Sequence, residues 1–364
     1  MKQTNIAILG GGIIGCALAE ELARRGQRVT IIERERIGAE ASAAAAGILS
    51  AQMDVPKPGV FFDLCQAARR AYPAWAGRIE RASGQRVGFQ RNGVLYLAAS
   101  AAQERRMQQR SRWQRRQQLP VERWSMAAVR QHEPAVDGRF RCGFHFPLEG
   151  EVDNVRLMRA LAEACRKAGV QIREHVEARR LIVRGRCVRG VETDHGVLTA
   201  SVVVNTLGSW ASRLQGFPIK LPVEPARGQM VSFAGPKRLF RRPVMTDRAY
   251  IIQRQDGQVL LGSTIERVGF DKALTVQGMH AILCGARKIS SRLDACHYMD
   301  SWAGLRPYSR TGYPIIGPTK THGVYVATGH FRHGILLAPI TATLMADLIL
   351  RGRTVFDLSP FALR

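Results

Sequence analysis

The chain has 364 residues, 46% of them apolar, which excludes a disordered polypeptide and exceeds what one ordinary core takes up. Lysine and arginine outnumber aspartate and glutamate by 54 to 29, a formal net charge of +25. The excess gathers at 105–116, 179–189 and 237–242 and admits nucleic acid, anionic lipid or an acidic substrate as a partner, although a solvated, arginine-rich surface explains it equally and is favoured here.

Seven cysteines, at 16, 65, 142, 165, 187, 284 and 296, are scattered, odd in number and without a CxxC pair. They read as reduced thiols of a cytoplasmic protein. No HExxH or clustered Cys/His spacing points to a metal.

In chain order, Lys2 and the apolar run behind it imitate a secretory signal, but clustered glycines and then Glu20 and Glu21 predict a buried strand and helix instead. Residues 6–9, IAIL, form the strand. Gly10, Gly12 and Gly15 follow as a GxGxxG that includes Ile13 and Ile14, and a helical pattern runs on to Gly26. A second strand over 28–33 ends in Glu33. Each part has a physical task. Gly10 allows the tight turn, Gly12 lets a pyrophosphate approach the backbone, and Gly15 lets helix and strand pack closely. The helix N-terminus faces the phosphates, and Glu33 accepts from ribose hydroxyls. The unit predicts a dinucleotide and leaves NAD and FAD undecided.

Residues 33–49, ERERIGAEASAAAAGIL, contain a run of small side chains after the acidic strand end, so a flat ligand can lie against the backbone there; an alanine-rich helix is the alternative. A strand within 202–211 ends in Gly208, Ser209 and Trp210, and strand-like runs at 229–233, 250–253 and 259–263 suit an antiparallel wall. Arg306, in SWAGLRPYS, sits in an apolar and aromatic setting where an unpaired cation is costly; its partner is either a substrate carboxylate or an acid of the fold. Near the C-terminus, VATGHFRHGILLAP places His330, Arg332 and His333, three residues able to carry positive charge, between Gly329 and Gly334 at the mouth of an apolar helix. That helical stretch, 334–350, contains Pro339 and Asp347 and is shorter than a membrane span of about 20 residues, so no transmembrane segment is expected.

Taken together, 33–49, VVVNTLGSWA at 202–211 and VATGHFRHGILLAP resemble the FAD-dependent amine oxidases of the D-amino-acid-oxidase type and, within them, the glycine oxidases, including those of thiamine biosynthesis. The likeness runs from about residue 3 to 350. It implies an α/β fold: a Rossmann-like FAD-binding domain (GR2/DAO type) with a second, mainly antiparallel β substrate-binding domain. The expected division is 1–85, 151–215 and 313–364 for FAD and 86–150 and 216–312 for substrate.

The resemblance also assigns roles. FAD would be held by the glycine-rich turn, by Glu33 and Arg34, and by Ser42, Ala45, Ala46, Gly47 and Leu49. Strand residues around Val176 would meet the adenine through backbone groups, and Gly208 and Trp210 would complete that side. At the flavin ring, Gly329, His330, Arg332, His333, Gly334 and Ile335 would present a helix N-terminus and a cation to the pyrimidine end. FAD is expected to be non-covalent, since GLRPYSRTGYPIIG at 304–317 lacks the cysteine that links flavin in monomeric sarcosine oxidases. Arg306, with Tyr250 assisting, would grip the substrate carboxylate, and Ile48 would limit substrate size near the ring. Arg248 departs from the neutral or histidine residue that glycine oxidases often carry nearby.

The implied activity is oxidative deamination of glycine, a small N-alkyl glycine or a small D-amino acid. Hydride passes to flavin N5, molecular oxygen serves as acceptor, and the imine or glyoxylate feeds thiazole assembly for thiamine. Family members are often homo-oligomers. Three other readings stay open: an oxidase of the carboxymethylaminomethyl group on tRNA wobble uridine, a quinone-linked amino acid dehydrogenase, and a catalytically idle flavin- or nucleic-acid-binding protein.

Overall fold

The computed structural model describes residues 5–363; Lys2, the charged start of the signal-like run, lies outside them. The first apolar run, Asn5–Leu9, lies inside a six-stranded sheet, parallel to Arg28–Ile32 on one side and Val202–Asn205 on the other. Gln171–Arg173 and Val324–Thr328 extend the sheet in parallel, and Ile315–Pro318 ends it as an antiparallel edge. Alternation sends neighbouring side chains to opposite faces. Ile6 and Ile8 therefore pack under the helices Ile13–Arg24, Val60–Ser83, Asn154–Lys167 and Gly334–Arg351. Ala7 and Leu9 pack under a three-stranded meander, Ala178–Arg184, Cys187–Thr193 and Gly196–Thr199. With both faces covered, the first strand is apolar throughout rather than alternating.

The second sheet has eight strands in the order His297–Ser309, Val223–Ala234, Gln258–Gly262, Tyr250–Gln253, Val244–Met245, Val94–Ala98, Cys142–Phe146 and Glu122–Trp124. Every pairing is antiparallel except Val244–Met245 beside Val94–Ala98. The strands expected at 229–233, 250–253 and 259–263 are all present, the first longer than its apolar core suggested. One face packs Leu97, Val231, Ile251 and Leu261 against Ile282 and Ala286 of the helix Val276–Arg287. The other turns Met230, Tyr250 and Ile252 toward Ala46 and Ile48 of the nucleotide-binding half. The cleft lies along this second face.

The last helix needs a correction. With its leading turn it covers Phe331–Arg351, 21 residues of mean hydropathy 1.6, long and apolar enough to cross a membrane. Its apolarity is accounted for by packing, because Leu336, Leu337, Ala338, Leu344 and Met345 are buried among the helices Ile13–Arg24 and Val60–Ser83. A core helix touched on several sides is apolar nearly all round, and length and composition do not separate it from a span.

Candidate active site

A cleft of about 550 Å³ runs between the two sheets from the first glycine turn to Arg306. At its nucleotide end Gly10 has φ +104°, and a Cβ there would stand 2.6 Å from the Thr206 carbonyl oxygen. Gly15 does not line the cleft; its Cβ would meet the Gly10 carbonyl oxygen at 2.0 Å, so it serves helix–strand packing as expected. Gly12 faces the cleft, and a Cβ would meet only Ser42 Oγ, at 3.3 Å. Gly12 supplies no side-chain cap to the helix Ile13–Arg24; instead Ser42 Oγ accepts from the Ile13 N–H at 2.9 Å. The Glu33 carboxylate accepts from the Gly11 N–H at 2.7 Å and the Glu35 N–H at 2.9 Å, which leaves lone pairs for hydroxyl donors. Burial raises its pKa, and the two backbone donors oppose that rise.

The trough of small residues is held by two buried side chains that the sequence did not reveal. Arg254 donates to the Ala46 carbonyl at 2.8 Å and the Val152 carbonyl at 2.9 Å, and Asn154 Nδ2 donates to the carbonyls of Ser42 and Ala43, each at 2.8 Å. Ala45, Ala46 and Gly47 line the cleft, whereas Leu49 points away into the core below. Gly304 has its Cβ position 2.4 Å from Ala44 Cβ, so the eight-stranded sheet approaches this trough closely. The Arg34 guanidinium lies 4.0 Å over the Trp210 ring, and Trp210 leans on Phe270, itself covered by Arg213 at 3.6 Å. Gly208 and Val176 also line this end. Val176 is not in a strand but in the loop before Ala178–Arg184, and its N–H is taken by the Glu33 carbonyl at 2.9 Å. A helix N-terminus facing the cleft, an acid at the end of the second strand and a trough of small side chains together fit FAD.

At the mouth of the last helix, Gly329 has φ +74° and lies behind the wall, while Gly334 and Ile335 present the helix N-terminus to the cleft. Of the three residues able to carry positive charge, the two histidines have their pKa lowered by burial. His330 is buried with Nε2 3.3 Å from Thr341 Oγ1, and burial pushes its pKa down to about 3. His333 does not line the cleft; its ring meets Phe61 edge-on at 5.1 Å, and burial lowers its pKa too. Both imidazoles are neutral because neither has an acidic neighbour strong enough to offset desolvation. Arg332 alone is charged, and Asp54 pairs with it at 2.7 Å.

At the other end, Arg306 projects from His297–Ser309 beside Gly228, where a Cβ would collide with its guanidinium at 2.0 Å. Its Nη2 donates to Ser263 Oγ at 2.8 Å and its Nη1 to the Thr264 carbonyl at 3.1 Å. No carboxylate among the described residues forms an ion pair with it, in contrast to Arg227 on the neighbouring strand, which holds both Glu266 and Asp271. Burial pushes the Arg306 pKa down, and Tyr250 alongside it opposes that shift. The Tyr250 hydroxyl sits 2.9 Å from Met230 Sδ, over the bare Gly262. Ile48 and Met245 complete the wall, while Arg248 is exposed in the preceding turn and does not line the cleft.

Arg306, Tyr250, Arg332 and Ile48 are thus brought together with the nucleotide end in one cleft. Ser263, Gly228, Asp54 and Met245 join them in the cleft without having been foreseen, and Thr264 accepts from Arg306 behind it. The family profile for FAD dependent oxidoreductases (DAO) matches residues 5–348. The chain is 32% identical to the glycine oxidase of Geobacillus kaustophilus over 364 residues, 99% of this chain and 96% of the relative. It is also 32% identical to the bifunctional protein ThiO/ThiG of Trichormus variabilis over 363 residues, and it spans about half, 54%, of that longer relative. The crystal structure of glycine oxidase from Geobacillus kaustophilus superposes with a TM-score of 0.96 at 31% identity, covering 100% of this chain and 99% of that one.

Proposed function

The chain belongs to the DAO family of FAD-dependent oxidoreductases, and on that premise we propose that it oxidatively deaminates glycine or a small N-alkyl glycine. The observation that carries the proposal is Arg306: a guanidinium in the cleft with two neutral acceptors and no carboxylate partner among the described residues. A charge so placed favours a carboxylate ligand held by paired N–H bonds. Likeness to relatives named glycine oxidase supports the substrate class, and it favours this reading over the tRNA-directed and quinone-linked ones.

The chemistry that FAD supplies when bound is two-electron oxidation of a carbon–nitrogen bond, with molecular oxygen as terminal acceptor and hydrogen peroxide as its product. This chain's residues do the positioning. Arg306 grips the carboxylate, and the Tyr250 hydroxyl turns from Met230 to donate to it. Ile48 and Met245 stand where a longer side chain would project, which favours a substrate without one. The helix N-terminus at Gly334 and Ile335, with Arg332 beside it, favours negative charge at the inner end of the cleft. No residue has to take the α-proton; the amine enters unprotonated. Glycine, oxygen and water give glyoxylate, ammonia and hydrogen peroxide. We further propose that the imine or glyoxylate supplies thiazole assembly, a reading supported by the match to the ThiO/ThiG relatives.

Glycine added anaerobically to the FAD-loaded protein is expected to bleach the visible flavin band, with recovery on admitting air. A band that persists with glycine and bleaches with sarcosine moves the proposal to N-alkyl glycines. A band that persists with both refutes it.

A further inference from the structure

Arg306 lies on a strand whose partner, Val223–Ala234, sets Ala226 opposite it and Gly228 two residues on, on the same face. The bare Gly228 makes room for the guanidinium but offers it no hydrogen bond. Its hydrogen bonds to the Ser263 hydroxyl and the Thr264 carbonyl go to the segment that follows Gln258–Gly262. That segment is itself fastened. Arg227 is 3% exposed; its Nε donates to Glu266 at 2.7 Å and its Nη1 to Asp271 at 2.6 Å. The backbones of Arg227 and Glu266 also exchange both hydrogen bonds at 2.9 Å, and the Gln229 N–H donates to Thr264 Oγ1 at 2.9 Å.

We infer that residues 263–271, pinned by Arg227, set the plane of the Arg306 guanidinium, with Ser263 as its positioning side chain; this rests on the reading of Arg306 as the carboxylate grip. Bidentate recognition depends on the guanidinium plane as well as its charge, so a misaligned fork binds as a point charge and loses one of two bonds. Ser263 is therefore a positioning residue: it acts on ligand capture through Arg306 and leaves the oxidation step alone.

The test uses the FAD-loaded protein and acetate, the carboxylate of glycine without its amine, titrated against the visible flavin spectrum. Ser263→Ala is expected to weaken acetate and raise the glycine KM, each about tenfold, with kcat changed less than twofold. Ser263→Thr, which keeps the hydroxyl, is expected to restore both to within about twofold. Glu266→Gln leaves Ser263 in place and loosens the pinned segment; a weakening of about threefold, again in KM alone, is expected and carries the test should Ser263→Ala fail to retain FAD. Native acetate affinity in Ser263→Ala and Glu266→Gln, with Arg306→Lys weakened, overturns the inference and leaves the carboxylate reading standing. Native affinity in all of them, Arg306→Lys included, overturns that reading and the inference with it.

Discussion

At the nucleotide end of the cleft the contacts come from backbone and small side chains: Gly10, Gly12, Ala45 to Gly47 and a helix N-terminus capped by Ser42. At the substrate end they come from long side chains on distant strands, with Arg306 and Tyr250 facing each other across Val223–Ala234 and Gln258–Gly262. The first end leaves little room to move, because glycines and alanines there bring backbone against backbone. The second is specific because the Arg306 charge has only neutral partners among the described residues. Steric changes should therefore be fatal at one end, and charge changes decisive at the other.

The largest effect is expected at Gly15. A methyl group there would stand 2.0 Å from the Gly10 carbonyl oxygen and 2.7 Å from Thr206 Oγ1, and neither backbone nor core can yield that distance. Gly15→Ala should cost about 3 kcal/mol or more and give protein that purifies without FAD, as read from its absorbance and melting temperature. At the opposite end, Arg306→Met should keep FAD and raise the glycine KM by about 100-fold or more, since two charge-assisted hydrogen bonds are lost. It should also leave the ligand-free protein as stable as before or about 1 kcal/mol more so, because a partly buried cation without a carboxylate partner is replaced by an apolar chain of similar length. A drop in the melting temperature of more than a few degrees would place the role of Arg306 in the fold instead.

The same contrast explains what the sequence disclosed. The nucleotide turn was legible because strand, glycines, helix and Glu33 occupy one stretch of 29 residues, from Asn5 to Glu33, and their geometry is local. Arg306 stood out as a cation among aromatics, and likeness to a family aligned Tyr250 and Ile48 with it. Ser263 and Thr264 lie 43 and 42 residues from Arg306, and Arg254 lies 208 residues from the Ala46 carbonyl it holds. Only strand pairing brings such residues together, and no periodicity announces it. The charge states of His330 and His333 were illegible for a related reason. A histidine's charge depends on how much water the fold removes, and composition around it cannot state that. Hydropathy of the last helix is ambiguous in the same way, as burial by neighbouring helices and burial by lipid select the same residues.

The substrate wall also carries a pH dependence of its own. Glu149 is buried beneath the loop that leads from Ile48 to Asp54, accepting the N–H groups of Gln52 and Met53 and the Ser50 hydroxyl at 3.0 Å. Burial pushes its pKa up to about 7 from an ordinary 4.5. The folded state then holds a proton that the unfolded chain has released, so stability falls as pH rises from about 4.5 to about 7 and is level above that. Glu149→Gln keeps an acceptor for the loop and removes the titration. It should flatten the stability profile across that interval and raise stability at pH 8 by about 2–3 kcal/mol, measured by urea unfolding. A profile with unchanged slope would show that another group titrates there. His330, pushed down to about 3 by burial, should add no transition of its own near neutrality to the binding of acetate.

The smallest effect is expected where the two ends meet. Asp54 lines the cleft and pairs with Arg332 at 2.7 Å, with the aspartate side chain 13% and the arginine side chain 38% exposed. Arg332 is close enough to Arg306 to depress its pKa, so the two cations share one field. Asp54 offsets part of that field and so weakens the attraction for an incoming carboxylate. Asp54→Asn keeps the shape and removes the offset. An ion pair this exposed is worth at most about 1 kcal/mol, so acetate should bind about two- to fourfold more tightly, and the gain should fade as salt is raised. Tighter binding that survives high salt would mean that a direct contact, rather than the field of Arg332, had changed. Weaker binding would show that Asp54 orients Arg332 more than it neutralises it, and the inner end of the cleft would then depend on side-chain placement as the outer end does.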